Sequence, residues 1–313
     1  MSERLLVGSR ASRLALAQTE WVAGLLRAAW PGLEIVLEKV RTAGDRDRRS
    51  PLASLPGVGF FVKELEAALL DGRIDLAVHS MKDVPTHLAE GLEVEAAVPP
   101  RADPRDCLVT SGGFALAQLL RGARVGTSSP RRRAMLQAAR PGRFEFVDLR
   151  GNVETRLAKV ESGACDATVL ARAGLERLGL FDDRMRTLET EVLVPAAGQG
   201  ALGLEFRADD ERVCRLIAPL DDSRSRQAVT AERAVVRRLG AGCRTPLGVL
   251  GRVDEPGRLS LEAYLLSADG RVALRRSVSG PAADAAGLGE RLAERLLGEG
   301  GARLIAAKDG SDA

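Results

Sequence analysis

The run Arg73-Ile-Asp-Leu-Ala-Val-His-Ser-Met-Lys-Asp-Val-Pro85 places Ser80, Lys82 and Asp83 directly after a short apolar stretch, Leu76 to Val78. The apolar stretch reads as a buried strand, and the polar residues as the loop that leaves it. In open α/β sheets, ligands lie outside the carboxyl ends of strands. A carboxylate beside a lysine at such a place is a candidate acid–base centre. The chain has only two histidines, His79 and His87, so Asp83 is the best candidate for general acid–base work. The competing reading of Asp83 is a loop carboxylate paired with Lys82.

Three further segments share one grammar, in which a strand ends and a polar turn opens a helix. Gly126-Thr-Ser-Ser-Pro-Arg-Arg-Arg133 offers Ser129 as N-cap and Pro130 as first helical residue. The free N–H groups at that end attract anions, and Arg131 and Arg132 add charge. The competing reading is a capped surface helix with solvated arginines. Leu149-Arg-Gly-Asn-Val-Glu-Thr-Arg156 puts Arg150 at a strand end and Arg156 in the first turns of a helix. Cations there oppose the helix dipole. A bound anion explains them, and so does a salt bridge from Arg156 to Glu154. Gly8-Ser-Arg-Ala-Ser-Arg-Leu14 repeats the pattern with Arg10 and Ser12, and Gln18 follows on the same helix.

Cys243 lies in Gly-Ala-Gly-Cys-Arg-Thr-Pro246, which reads as an exposed loop tip. A thiol held on a glycine-rich loop beside Arg244 is placed to react or to be substituted. A loop thiol without function is the alternative. Cys107 sits in an apolar run instead and reads as structural.

Composition narrows the classes. At 45% hydrophobic and 28% charged residues the chain is an ordinary globular sequence. Its 313 residues suffice for two or three domains. No eighteen-residue apolar run is present, so a membrane span is not expected. The N-terminus lacks the apolar region of a secretory signal, which points to the cytoplasm. Cys107, Cys165, Cys214 and Cys243 are far apart, so neither a zinc site nor a disulfide framework is expected. A net charge of +3 gives no strong field for nucleic acid, and 3% aromatics offer few stacking platforms. The positive charge is mostly arginine, whose planar fork suits carboxylate or phosphate.

The elements that would position these residues form repeated α/β units. Arg4 to Ser9 reads as strand, the helix of Leu14, Ala17, Trp21 and Leu25 follows, and Leu33 to Val40 reads as a second strand. Thr42 to Gly59 is a long charged and Pro/Gly-rich loop, of a length usually functional or disordered. A helix from Phe61 to Leu70 leads to the Asp83 segment, and Glu93 to Val98 reads as strand. Pro99-Pro-Arg-Ala-Asp-Pro104 is a crossover. A second α/β unit follows, and Val194-Pro-Ala-Ala-Gly-Gln-Gly200 is a second crossing. Ala201 to Phe206 reads as a strand that returns to the first domain. From Ser223 a helix and alternating strands suggest a small α+β domain. Two similar units joined by two crossings suggest hinged lobes around a cleft.

Taken together, these segments resemble the porphobilinogen deaminase (hydroxymethylbilane synthase) family of tetrapyrrole biosynthesis. The resemblance rests on the segments ending at Gln18, Glu66, Pro85, Arg132, Leu157, Ala201 and Pro246, in the family's order. It implies two periplasmic-binding-protein-like α/β domains with a central cleft, plus a small α+β C-terminal domain. The expected boundaries are 1–99 with 200–218, then 105–194, then 222–313. It also implies that Cys243 carries a dipyrromethane cofactor through a thioether, built from substrate and retained after product leaves. Four porphobilinogens add to this primer with loss of ammonia, and hydrolysis releases the linear tetrapyrrole. Asp83 matches the catalytic aspartate. Ser80, Lys82, Ser129, Arg131, Arg132 and Arg156 match residues around the cofactor. Arg10, Ser12, Gln18, Arg150, Arg177 and Gln199 match residues around substrate and growing chain, and Phe61 reads either as a lid over a pyrrole ring or as core packing of its helix. No metal, nucleic acid or membrane partner is implied, and a cytoplasmic monomer is expected.

The chemistry agrees with this assignment. Each porphobilinogen brings two carboxylates, and buried carboxylates need bidentate cations. One departure stands out. Where many relatives have loop lysines, this chain has Ser54 and Val58, so no role for those lysines transfers. Arg46, Arg48 and Arg49 are the nearby cations. Two other classes are weaker fits. A non-catalytic anion-binding module leaves Cys243 unexplained, and a nucleic-acid binder conflicts with the low net charge.

Overall fold

The computed structural model describes residues 3–40, 62–242 and 244–306. Phe61, Cys243 and the loop containing Arg46, Arg48, Arg49, Ser54 and Val58 lie outside the described residues. In chain order the elements begin with β1 (Arg4–Arg10), α1 (Arg13–Ala29), β2 (Glu34–Val40), α2 (Lys63–Leu70), β3 (Leu76–Ser80) and β4 (Leu92–Glu93). There follow β5 (Asp106–Thr110), β6 (Ala123–Gly126), α3 (Pro130–Ala139), β7 (Phe144–Val147), α4 (Val153–Glu161), β8 (Ala167–Ala171), α5 (Arg172–Arg177) and β9 (Met185–Thr187). The chain continues through β10 (Leu202–Arg207), α6 (Glu211–Ile217) and α7 (Ser223–Leu239). It ends in β11 (Leu247–Val253), β12 (Arg258–Leu266), β13 (Ala273–Pro281) and α8 (Ala285–Leu296), with a short helical turn beyond.

Two five-stranded sheets share one plan. Their orders are β2-β1-β3-β10-β4 and β7-β6-β8-β5-β9. In each, the first three strands are parallel and the fourth runs antiparallel to its neighbours. The fourth place in the first sheet belongs to β10, which follows the second crossing. In the second sheet it belongs to β5, which follows the first. Ala201–Phe206 therefore does return to the first sheet, as the sequence suggests.

By contact the chain divides into two units, residues 1–102 with 200–226, and residues 103–199 with 227–313. In the first unit, Leu76 and Val78 of β3 face one core with Leu5, Val7, Val22 and Leu26. Ala77 faces the opposite core with Leu65, Ala68 and Leu69 of α2. This period of two is what a strand buried on both faces requires. In the second unit, β11, β12 and β13 form an antiparallel sheet with its own core against α7 and α8. Leu250 and Leu266 from that sheet also join the core of the second five-stranded sheet. The expected third domain thus has its own sheet and packs within the same unit as residues 103–199.

Local chemistry sets the helix starts. Ser12 accepts from the Ala15 amide and Ser129 from the Arg132 amide. Asn152 accepts from the Thr155 amide at 2.9 Å and so starts α4. Gly126 ends β6 where a Cβ would stand 2.8 Å from Leu149 Cδ2 and 2.9 Å from Cys165 Sγ, so a side chain there would force both to shift.

One expected element differs. The strand expected over Glu93 to Val98 pairs only at Leu92–Glu93. Glu93 Oε1 accepts from the amides of Val94 (3.0 Å) and Glu95 (2.7 Å). The side chain takes over donors that a ladder would use, and pairing stops there.

Candidate active site

One set of the expected residues lies at the carboxyl edge of the first sheet. Arg10 ends β1, and Ser12 opens α1 two residues later. Ser80 ends β3 and leads into a single helical turn, Met81–Asp83. Met81 and Val84 are buried and anchor the turn, while Lys82 and Asp83 between them are exposed. The Met81 amide donates to Ala201 O at 3.0 Å, which ties the turn to the start of β10. Gln18, 3% exposed on α1, bonds Ser80: its amide nitrogen lies 2.9 Å from Ser80 Oγ and its amide oxygen 3.2 Å. The sequence suggested cofactor contact for Ser80 and substrate contact for Gln18; the structure couples the two side chains directly. Asp83 thus stands at the surface of an anchored turn.

Behind this turn is a buried ionisable cluster that the sequence reading missed. His79 Nε2 lies 2.8 Å from Glu205 Oε2, and the two side chains are 3% and 0% exposed. Glu205 stands on β10 opposite Ala77, so it and His79 share the face covered by α2. Glu66 of α2 looks onto the same cluster. Burial, reinforced by the charge of Glu205, raises the Glu66 carboxyl above its ordinary 4.5; a hydrogen bond from the Ala89 backbone, His79 and Lys63 oppose this. The folded protein then binds that proton more tightly than the unfolded chain. This contribution to stability falls as pH rises above 4.5. Glu66→Gln should accordingly raise the melting temperature near neutral pH, and the gain should vanish as pH falls to 4.5 or below. Thermal melts of both proteins across that range check it; a difference independent of pH would contradict it.

Another set lies at the carboxyl edge of the second sheet. Asp106 opens β5 opposite Ala171, the last residue of β8, and is fully buried. Arg131 and Arg132, 5% and 7% exposed, close on it from the first turn of α3. Arg131 Nη2 donates to Asp106 Oδ2 at 2.8 Å. Arg132 donates to Asp106 Oδ1 from Nε (3.1 Å) and Nη2 (2.6 Å). Arg131 Nη1 also donates to Val194 O at 2.6 Å. The expectation of solvated arginines on an ordinary surface helix is thereby excluded. Asp106 escaped the sequence reading because it lies 25 residues from Arg131. Its one visible signal was a charged residue opening an apolar strand.

This trio of buried charges sums to +1. Burial holds the Arg131 guanidinium below the ordinary arginine range, with Asp106 opposing and Arg132 reinforcing the shift. Arg177, at the end of α5, is lowered to about 10 by burial, with Glu176 partly offsetting it. Guanidinium groups under this desolvation are stabilised by an added carboxylate. Ser129 caps α3 beside them. Arg156 Nε donates to Gly151 O at 2.9 Å, and Arg150 precedes that turn. Gln199 is buried, and its amide nitrogen donates to Pro104 O at 2.7 Å, next to the start of β5. The first edge thus brings Gln18, Ser80, Lys82 and Asp83 together, and the second brings Ser129, Arg131 and Arg132 together. Phe61 and Cys243 lie outside the described residues.

Comparison with known proteins decides the family. Residues 5–215 match the family model "Porphobilinogen deaminase, dipyromethane cofactor binding domain". Residues 226–298 match "Porphobilinogen deaminase, C-terminal domain". The chain belongs to the porphobilinogen deaminase family. It is 50% identical over 306 residues to the porphobilinogen deaminase of Roseiflexus castenholzii, covering 98% of this chain and 100% of the relative. It is 50% identical over 308 residues to that of Syntrophotalea carbinolica, covering 98% and 97%. Among solved structures it is similar to the reduced OxyR regulatory domain of Pseudomonas aeruginosa, with a TM-score of 0.40 at 13% identity over 70% of this chain and 96% of that one.

The chain is therefore an enzyme of tetrapyrrole biosynthesis that forms hydroxymethylbilane, with a dipyrromethane cofactor. The residues present suit that group. It is a polycarboxylate, and two buried arginines, Arg131 and Arg132, meet one buried carboxylate, Asp106, at this edge.

Proposed function

We propose that Asp83 is the acid–base group of the reaction and that Cys243 is the covalent anchor of the dipyrromethane. The bound dipyrromethane supplies the nucleophilic pyrrole carbon from which the chain grows. Asp83 gives a proton to the departing amine of porphobilinogen as the carbon–nitrogen bond breaks and ammonia leaves. As a carboxylate it then accepts hydrogen bonds from pyrrole N–H groups and stabilises the azafulvene-like cation. The proton is regained from the attacking pyrrole carbon after the new carbon–carbon bond has formed. A single carboxylate in both roles needs neither histidine nor metal.

The observation that carries this reading is the solvent-facing carboxylate of Asp83 at the carboxyl end of β3, on a turn anchored by buried Met81 and Val84. Ser80, Lys82, Ser129, Arg131, Arg132 and Arg156 hold the cofactor carboxylates. Arg10, Ser12, Gln18, Arg150, Arg177 and Gln199 hold those of incoming substrate and growing chain, and Phe61 covers a ring. We further propose a three-domain division at the boundaries given above, with the enzyme a cytoplasmic monomer acting on porphobilinogen alone. Among the described residues, no helix is long and apolar enough to cross a membrane.

The anchor is tested by Cys243→Ser. The variant should be less stable than the holoenzyme, lack any covalently bound pyrrole in its denatured mass and show no turnover. Covalent pyrroles that persist in the variant would assign the anchor to another residue.

A further inference from the structure

Glu232, in the middle of α7, is a fully buried carboxylate that the mechanism leaves unused. Its Oε2 accepts from the Gly198 amide at 2.6 Å and its Oε1 from the Gly251 amide at 2.8 Å. Gly198 belongs to the second crossing and Gly251 to β11. A third bond, from the Val249 amide to Pro195 O at 2.9 Å, fixes the same crossing to β11. Close approach is built in. A Cβ on Gly251 would stand 3.1 Å from Ala228 O of α7, and one on Gly248 would press on Val194 O. Gly198 has φ +71°, a conformation that glycine adopts without strain.

This crossing carries two groups of the proposed site. Val194 O holds Arg131 Nη1, and Gln199 follows Gly198 directly. We infer that Glu232 is a positioning residue for porphobilinogen binding: it fixes Val194–Gly198 so that Gln199 is held ready for substrate carboxylates and Arg131 for those of the cofactor that substrate must meet. The inference rests on the proposed roles of Arg131 and Gln199. Glu232 touches neither substrate nor cofactor in this account. It acts through two backbone amides, and bonds to a carboxylate are among the strong ones.

Glu232→Gln tests this in the holoenzyme. The amide keeps one acceptor and turns an NH2 donor toward the other backbone N–H. One amide loses its partner, and the crossing loosens. KM for porphobilinogen should rise about tenfold, the equivalent of one charge-assisted hydrogen bond, while kcat per loaded enzyme changes less than about twofold. Loading is counted from the denatured mass. A merely structural role would lower the melting temperature and the active fraction but leave KM unchanged, and that result would overturn the inference. Gln199→Leu is measured alongside. If Gln199→Leu raises KM and Glu232→Gln does not, the positioning inference fails alone. If only Glu232→Gln raises KM, the inference holds through Arg131 and the cofactor it orients, and the role of Gln199 falls. Should Glu232→Gln not fold, Glu232→Asp keeps the charge, loses reach to one amide, and is read in the same way.

Discussion

Asp83→Asn is expected to lower turnover about a thousandfold while leaving the fold intact, within the range that one positioned acid–base group contributes. The substitution is nearly isosteric and sits at an exposed position of a short turn. The turn is held by buried Met81 and Val84 and by the Met81 amide, none of which depends on the carboxylate. Asparagine cannot give up a proton to the departing amine. It also lacks the negative charge that stabilises the cation. The cost should therefore fall on kcat and kcat/KM together, the signature of an interaction made in the transition state. Steady-state kinetics with porphobilinogen, beside circular dichroism and melts, check it. Wild-type turnover in the variant would remove Asp83 from the mechanism.

The second large effect is on stability. Asp106→Asn should destabilise the protein by about 3–5 kcal/mol, the usual cost of removing one partner from a buried ion pair. Asp106 accepts from both Arg131 and Arg132, and all three residues are buried. Asparagine offers one oxygen and turns an NH2 group toward a guanidinium. The positive charges of Arg131 and Arg132 then lose the carboxylate that faces them. Folded domains are stable by only about 5–15 kcal/mol, so the shift should be plain in urea unfolding midpoints. A change below about 1 kcal/mol would show that other groups already balance these arginines.

Local features were legible in the sequence because they are local. Ser12 and Ser129 cap their helices, Pro130 is the first residue of α3, and Leu76 to Val78 form a buried strand, each within a few residues of its signal. The strand after the second crossing was visible as an apolar run following a glycine turn. The partners of the site residues were not legible. Asp106 meets Arg131 across 25 residues, Glu232 meets Gly198 across 34, and His79 meets Glu205 across 126. Such pairs are fixed by sheet register, which a single sequence does not spell out. The overreach at Glu93 to Val98 has a different origin. Its apolar pattern resembles a strand, but the Glu93 side chain captures the next backbone donors.

The central claim is that this chain carries its own primer on Cys243, and the denatured intact mass of the purified protein tests it most directly. The account predicts an excess over the bare sequence equal to two linked pyrrole units, moving on digestion with the peptide that contains Cys243. A bare mass that stays bare after incubation with porphobilinogen would contradict it.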